Sequence, residues 1–78
     1  MQAIEVKARF DDQGSIIPVS FTWQGQVYPV EATGRRWQDK AGQHILVMTP
    51  GNKIYELLLS TAEMQWRLLQ VGPERGTA

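Results

Sequence analysis

Apolar and polar residues alternate along much of the chain, which is typical of β-strands that bury one face. From Ile4 to Phe10 every second residue is apolar and the residues between them are charged. A period of two recurs over residues 17–23 and 26–33. Because successive side chains of a strand point to opposite faces of its sheet, these segments predict half-buried strands. We expect Ile4, Val6, Ala8 and Phe10 to face the core.

Turn-forming residues separate the predicted strands. Residues 11–15 favour a tight turn, since Asp caps turn backbones and Gly14 supplies a positive φ. Pro50-Gly51-Asn52 joins an apolar run at 44–49 to a second run at 53–59, which is the strongest hairpin pattern in the second half. These two runs predict a further pair of strands, which we expect at the centre of the sheet.

The segment from residue 61 to residue 71 admits two interpretations. Ser60 and Glu63 have the spacing of a capping box, which opens a helix. Met64, Trp66 and Leu68 instead alternate with polar residues, as in a strand. We favour the strand and keep the helix as the alternative.

About six short strands with little helix predict an all-β fold. We expect a small antiparallel barrel or strongly curved sheet of five to six strands, SH3-like, because closure removes exposed strand edges. The alternative is an α+β domain with a C-terminal helix at about 61–71. The chain predicts one small β domain over residues 1–71 and a disordered tail over residues 72–78.

Charge and composition limit the functions open to the chain. Eight Lys and Arg balance eight Asp and Glu among 78 residues, so no overall field attracts nucleic acid or an anionic membrane. The longest apolar run, Ile45 to Met48, is far shorter than a membrane span, and no basic, apolar leader begins the chain. Cysteine is absent, which fits a reducing compartment. We expect a soluble, cytoplasmic protein that binds no membrane.

The residues offer no convincing catalytic or metal set. His44 is the only histidine, and no nucleophile motif surrounds the serines at 15, 20 and 60. A single His without Cys cannot build the usual zinc site, and the acidic turn at residues 11–15 lacks the calcium-loop pattern. Glycine loops that cradle phosphates are also missing. We therefore expect no enzyme, no metal and no cofactor.

Aromatic, glycine and proline residues recur at fixed spacings over residues 18–71. They are Pro18-x-x-Phe21-x-Trp23-x-Gly25-x-x-Tyr28-x-Val30, Gly34-x-x-Trp37, Tyr55-Glu56-Leu57 and Trp66-x-Leu68-x-x-Val71. This pattern resembles an uncharacterised family of short bacterial β-rich domains of unknown function. It is also similar to the small C-terminal domain of Y-family-polymerase-like proteins of mutagenic repair, although the acidic residue that often follows their final aromatic residue is missing here. The resemblance implies a β-rich bacterial domain with a link to DNA repair, and it carries no activity.

The candidate binding surface centres on two adjacent arginines beside a tryptophan. Guanidinium groups can contact phosphates while an indole stacks on an unpaired base. On a strand, however, Arg35 and Trp37 share one face and Arg36 takes the other. We therefore favour the interpretation that Trp37 covers the core while the arginines pair with Asp39 or Glu31. The candidate surface comprises Arg35, Arg36, Trp37, Lys40, His44, Lys53 and Tyr55.

A surplus of apolar residues points to a different class of partner. The runs Ile16-Ile17, Ile45 to Met48 and Leu57-Leu58-Leu59 place apolar side chains on both strand faces. A single sheet of this size cannot bury both faces, so either the terminal segments or another chain cover one of them. We expect a non-enzymatic binding or accessory module that acts through protein contacts or self-association, with single-stranded DNA binding in repair as the alternative.

Overall fold

The computed structural model describes residues 2–73, with side chains described for residues 3–69. All regular structure in this range is β-strand, which confirms the all-β prediction. No helix in the described range is long and apolar enough to cross a membrane. The strands are β1 (Gln2–Phe10), β2 (Ile16–Trp23), β3 (Gln26–Pro29), β4 (Ala32–Asp39), β5 (Gly42–Thr49), β6 (Lys53–Ser60) and β7 (Gln65–Pro73).

The seven strands form one antiparallel sheet in the order β3-β2-β1-β7-β6-β5-β4, curled into a half-barrel. β7 therefore lies in the middle of the sheet, between β1 and β6. The two edge strands, β3 and β4, are consecutive in the chain. Curling brings these edges towards each other, which reduces the exposed strand edge as expected for a small β-domain.

The structure has seven strands instead of five or six because the predicted strand at residues 26–33 ends at Pro29 and a further strand, β4, begins at Ala32. β3 ends at Pro29, and the Val30 amide donates to the Val19 carbonyl of β2. One residue later the Glu31 amide donates to the Met48 carbonyl of β5. The chain thus passes from one edge of the sheet to the other within two residues.

A turn occupies the place of the alternative C-terminal helix, so that alternative is wrong. The capping contact itself forms, since the Glu63 amide donates to Ser60 Oγ at 3.4 Å. Met64 then takes a φ of 54°, which a right-handed helix does not allow, and β7 begins at Gln65. β7 continues to Pro73, and residues 74–78 of the expected tail lie outside the described residues.

The core lies on the inner face of the half-barrel. Its buried members come from β2, β5, β6 and β7 and are Phe21, Ile45, Val47, Tyr55, Leu57 and Leu68. Half-buried Trp23 and Trp66 pack against this core, as their alternating sequence context predicts. Large aromatic side chains bury much area each, which a domain of this size requires.

β1 keeps one face towards the concave side along its length, but the core covers only part of that face. Ile4 and Val6 pack against the core. The register shift between β1 and β2 leaves Val19 of β2 without a partner, so the bulge lies in β2 and the alternation of β1 continues. Ala8 and Phe10 lie opposite buried or half-buried residues of β2, so they share the face of the core as expected, yet both are exposed because they lie beyond its covered part.

Candidate functional site

β4 carries the two arginines and the tryptophan of the candidate surface, and its pleat divides them between two faces. Trp37 lies opposite His44 of β5, whereas Arg36 lies opposite the core residue Ile45. Trp37 and His44 are therefore on the outer face, and Arg36 is on the inner face. A register irregularity between Thr33 and Arg36 precedes them. The predicted division of this segment between two faces therefore agrees with the structure, but Trp37 does not cover the core as expected, because its face is the outer one.

Three side chains form a stack on the outer face, which we call the outer stack: Arg35, Trp37 and His44. The Trp37 and His44 rings are parallel within 6°, with their centroids 4.9 Å apart. The Arg35 guanidinium carbon lies 5.3 Å from the Trp37 ring centroid. Because a tryptophan face attracts cations, both contacts stabilise the stack. They also occupy the indole, so a base reaches Trp37 only after one neighbour moves.

His44 is buried on the outer face and contacts two carboxylates. Its Nε2 lies 2.9 Å from Asp39 Oδ2, and its Nδ1 lies 2.8 Å from Glu56 Oε2. A neutral imidazole has one N–H donor, whereas this geometry uses two, so His44 is held as an imidazolium. The two carboxylates are the partners that sequence reasoning missed, because cross-strand register and not chain spacing brings Glu56 to His44.

The pKa values of this group follow from the same contacts. Burial opposes protonation of the ring, but the hydrogen bonds and charges of Asp39 and Glu56 outweigh it and raise the pKa of His44 above its ordinary value of 6.5. The hydrogen bond to His44 in turn lowers the pKa of Asp39 below its ordinary 3.8. The two carboxylates therefore stabilise the protonated form of the histidine at the base of the outer stack.

Arg36 closes the gap between the two ends of the curled sheet. Its Nη1 donates to the Ile16 carbonyl of β2 at 2.9 Å. β3 pairs with β2 only from Ser20 onwards, so Ile16 lies where β2 has no strand neighbour on that side. Among the described residues neither Arg36 nor Arg35 forms an ion pair with a carboxylate. The expected pairing of these arginines with Asp39 or Glu31 does not occur.

The remaining candidate residues are dispersed. Lys40 is exposed in the two-residue turn between β4 and β5, on the same side as the outer stack. Lys53 lies at the opposite end of the sheet, opposite Thr49 at the start of β6. Tyr55 is 3% exposed and belongs to the core. The structure thus places Arg35, Trp37 and His44 together, with Lys40 on the same side of the sheet. Arg36, Lys53 and Tyr55 lie elsewhere.

An apolar area adjoins the outer stack along β5, and we call it the outer patch: Leu46, Met48 and Ile54, with Ala32 and Gly34 of β4. Leu46 and Met48 follow His44 on the same face of β5, and Met48 lies opposite both Ala32 and Ile54. These residues line a hollow of about 130 Å³ that no charged residue borders. On this face His44 and Leu58 are buried, whereas Leu46, Met48 and Ile54 are only half-buried.

Both imidazole nitrogens of His44 are occupied by carboxylates. No group of three or more His, Asp or Glu side chains among the described residues has the geometry to hold a metal ion. The outer patch lies beside this histidine, the exposed Arg35 and the half-buried Trp37.

Comparisons with protein-family models, with curated proteins and with solved structures find no match for this chain.

Proposed function

We propose that this protein is a non-enzymatic binding module whose outer stack and outer patch contact a protein partner. The observation that carries the proposal is the apolar outer patch on β4, β5 and β6, which is only partly covered. Leu46, Met48 and Ile54 are only half-buried there, although a small domain gains stability by burying such side chains. An apolar face of this kind beside exposed polar groups is typical of partner sites.

The composition of the surface favours protein over nucleic acid. Trp and Arg are the side chains most enriched among residues that dominate binding energy in protein interfaces, and Trp37 and Arg35 stand next to the outer patch. Two carboxylates, Asp39 and Glu56, lie beneath the same stack. The cations of the candidate surface do not form a continuous track, because Arg36 and Lys53 lie elsewhere. A nucleic-acid backbone requires such a track.

The test combines capture of partners with a matched pair of variants. Met48→Glu places a charge in the outer patch, and Val27→Glu places the same charge on β3, where Val27 is 63% exposed. Proteins retained from a lysate are quantified by mass spectrometry, and the affinity of each retained protein is then measured with purified components. Met48→Glu should lower the affinity for the specific partner about tenfold or more, while Val27→Glu should leave that affinity unchanged.

Arg35→Glu provides a second test that disturbs the fold less, since Arg35 is exposed. Arg35→Glu should also lower the affinity for the partner. ¹⁵N–¹H spectra of all three variants verify that the fold is retained. Equal affinity of wild type, Met48→Glu and Arg35→Glu for every partner would overturn the proposal.

Single-stranded DNA is the alternative outcome, and it is tested on the same proteins. A labelled oligonucleotide is titrated at several salt concentrations with wild type and with the Arg35→Ala/Arg36→Ala double variant. If the affinity for the oligonucleotide falls with salt, and the double variant shows a smaller dependence of affinity on salt, then the partner is nucleic acid and not protein. Binding with an unchanged slope in the double variant would remove the nucleic-acid hypothesis.

A further inference from the structure

A second concave site lies at the end of the half-barrel away from the outer patch, and we call it the mouth cleft. It has a volume of about 440 Å³ and lies between the turn after β1 and the turn before β7. Phe10, Met64 and Trp66 form its apolar walls, and Ile16 and Leu59 complete them. Mouths of β-barrels are a common place for binding sites, and clefts that bind ligands start at about 300 Å³.

Two large apolar side chains reach this cleft through unrelated local features. Phe10 ends β1 on the concave face, opposite Ile16 and beyond the covered core, and it is 71% exposed. Met64 is 73% exposed and stands in a turn with a left-handed φ of 54°. The described residues include four exposed large apolar side chains, and these two border the same opening. Core packing explains neither position.

The polar groups of the mouth cleft define the charge of its occupant. No charged side chain lines it, and its polar groups are the Gln13 and Gln43 amides and the Ser15 hydroxyl with the turn backbone. Amides and hydroxyls both donate and accept hydrogen bonds, so they satisfy an uncharged polar group and leave an ion uncompensated. Aromatic rings and a thioether favour an aromatic occupant.

The exposed rim of the cleft indicates whether the aromatic group is a free small ligand or part of a larger partner. Free small ligands are commonly buried to about 70–90% of their surface in their sites. The strong exposure of Phe10 and Met64 at the rim prevents such enclosure. An aromatic side chain carried by a larger partner needs no full enclosure, because the backbone on either side of it rests on the rim.

We infer that the mouth cleft binds an uncharged aromatic side chain, tryptophan or tyrosine, presented by a protein partner. The inference rests on the proposed function only in that the partner is a protein, and it uses a surface separate from the outer patch. Phe10 and Met64 hold the ring at the rim, Trp66 contacts it from the wall, and the Gln43 amide accepts or donates to its polar atom.

The test uses N-acetyl-tryptophanamide as the probe and NMR as the readout. The full chain is titrated while ¹⁵N–¹H signals and the Met64 methyl signal are followed. Shifts should concentrate at Phe10, Ser15, Gln43, Met64 and Trp66. Met64→Gly should lower the affinity for the probe about fivefold, because it removes one apolar wall of the cleft. This variant keeps the fold, since glycine adopts the left-handed φ of this position without strain.

Val27→Ser is the matched control, because it removes an equally exposed apolar side chain at the other end of the domain. It should bind the probe as wild type does. N-acetyl-tryptophan, which carries a carboxylate, should bind more weakly than the amide. Met48→Glu should bind the probe with the affinity of wild type. A failure of the proposed outer-patch function is therefore distinguishable from a failure of the mouth cleft to bind the probe.

Four outcomes would overturn the inference. They are equal binding by Met64→Gly, tighter binding of the charged probe, shifts that lie elsewhere, and no shift up to the solubility limit of the probe. A fifth observation would replace the occupant: shifts at Phe10 and Met64 that grow with protein concentration in the absence of any probe would show a second copy of the chain in the cleft.

Discussion

Gly42 is the residue whose replacement the backbone tolerates least. It stands at the start of β5 with a φ of 145°, and a Cβ there would lie 2.1 Å from the Leu59 carbonyl oxygen. The Leu59 backbone is held in the sheet and cannot move away from a new Cβ as the end of a flexible side chain can. Gly42→Ala should therefore cost about 3 kcal/mol or more, which removes most of the stability of a domain this small. Urea denaturation followed by tryptophan fluorescence measures the loss.

Gly34 provides the control for that substitution. A Cβ at Gly34 would lie 3.9 Å from its nearest neighbours, which is ordinary contact, and its φ is not in the left-handed region. Gly34→Ala should change the free energy of unfolding by less than about 1 kcal/mol. Similar losses in the two variants would contradict the explanation from close approach.

His44 makes the stability depend on pH in a definite direction. The folded state raises its pKa, so its contribution is complete below pH 6.5 and disappears as the pH rises through the folded pKa. Asp39 behaves in the opposite sense, because its lowered pKa makes its contribution disappear only as the pH falls through that lower value. The contact is therefore strongest between the two folded pKa values.

Two measurements check this behaviour. The chain has a single histidine, so its imidazole signals in NMR give one titration, with an expected midpoint above 6.5. His44→Gln should lower the free energy of unfolding at neutral pH by about 1–3 kcal/mol and flatten its dependence on pH above 6.5. A midpoint at or below the ordinary value would contradict the imidazolium geometry.

Residue roles were predictable from the sequence where the period of two holds, and not elsewhere. Alternation correctly placed Arg35 and Trp37 together and Arg36 opposite them. It indicated the face of Phe10 but not its exposure, because the pattern of apolar residues does not show where the covered core ends along β1. It also could not assign Glu56 to His44, since that contact depends on the register between β5 and β6.

At the scale of elements, Arg36 connects β4 to β2 where no backbone pairing does so. Arg36→Met keeps much of the aliphatic stem and removes the donor to the Ile16 carbonyl. We expect a loss of about 1–3 kcal/mol and faster hydrogen exchange in β4 than in β5, because a half-buried carbonyl is left without its partner. Arg35→Met should have a smaller effect, since Arg35 is exposed. Equal exchange of β4 in both variants would show that Arg36 does not close the gap.

The turn between β6 and β7 contains strain that one substitution removes. Met64 occupies the left-handed region, which costs a residue with a Cβ about 1–2 kcal/mol. Met64→Gly should raise the free energy of unfolding by about 0.5 kcal/mol after the greater freedom of glycine in the unfolded chain is subtracted. Met64→Ala keeps the strain and should give no gain, so urea denaturation of the pair separates backbone from side-chain effects.

The same turn explains why the helix was a reasonable alternative. The capping contact between Ser60 and Glu63 is present, but a capping box describes only the first turn of a helix. The conformation beyond that turn is decided by the pairing of Trp66 with Leu59 and of Arg67 with Leu58, which residue spacing alone does not reveal. The alternation of Met64, Trp66 and Leu68 was the better guide.

At the scale of the whole molecule, the last strand in the chain is the middle strand of the sheet. β7 pairs with β6 along eight residue pairs and with β1 along three. A chain that stops at residue 64 loses both pairings and should be unfolded, whereas a chain that stops at residue 73 retains every described strand and should fold. Circular dichroism and ¹⁵N–¹H spectra of the two truncated chains test this, and a folded 1–64 chain would contradict the role of β7.

The fold class was predictable from the sequence, but the order of strands was not. Alternation and turn residues identify each strand locally, and six of the seven were located approximately. The sequence favoured the hairpin of β5 and β6 for the centre, because its residues are the most apolar. The β1–β7 pairing joins distant parts of the chain, so no local pattern contains it.

The central place of β7 also determines when a newly made chain can fold. During synthesis β1 to β6 emerge first, yet the edges of β1 and β6 that β7 will occupy remain open until residue 73 has left the ribosome. The sheet is therefore completed only after residue 73 has emerged, and until then the growing chain exposes two unpaired strand edges. Such edges pair with other chains, so we expect the yield of folded protein to fall as the concentration of newly made chains rises.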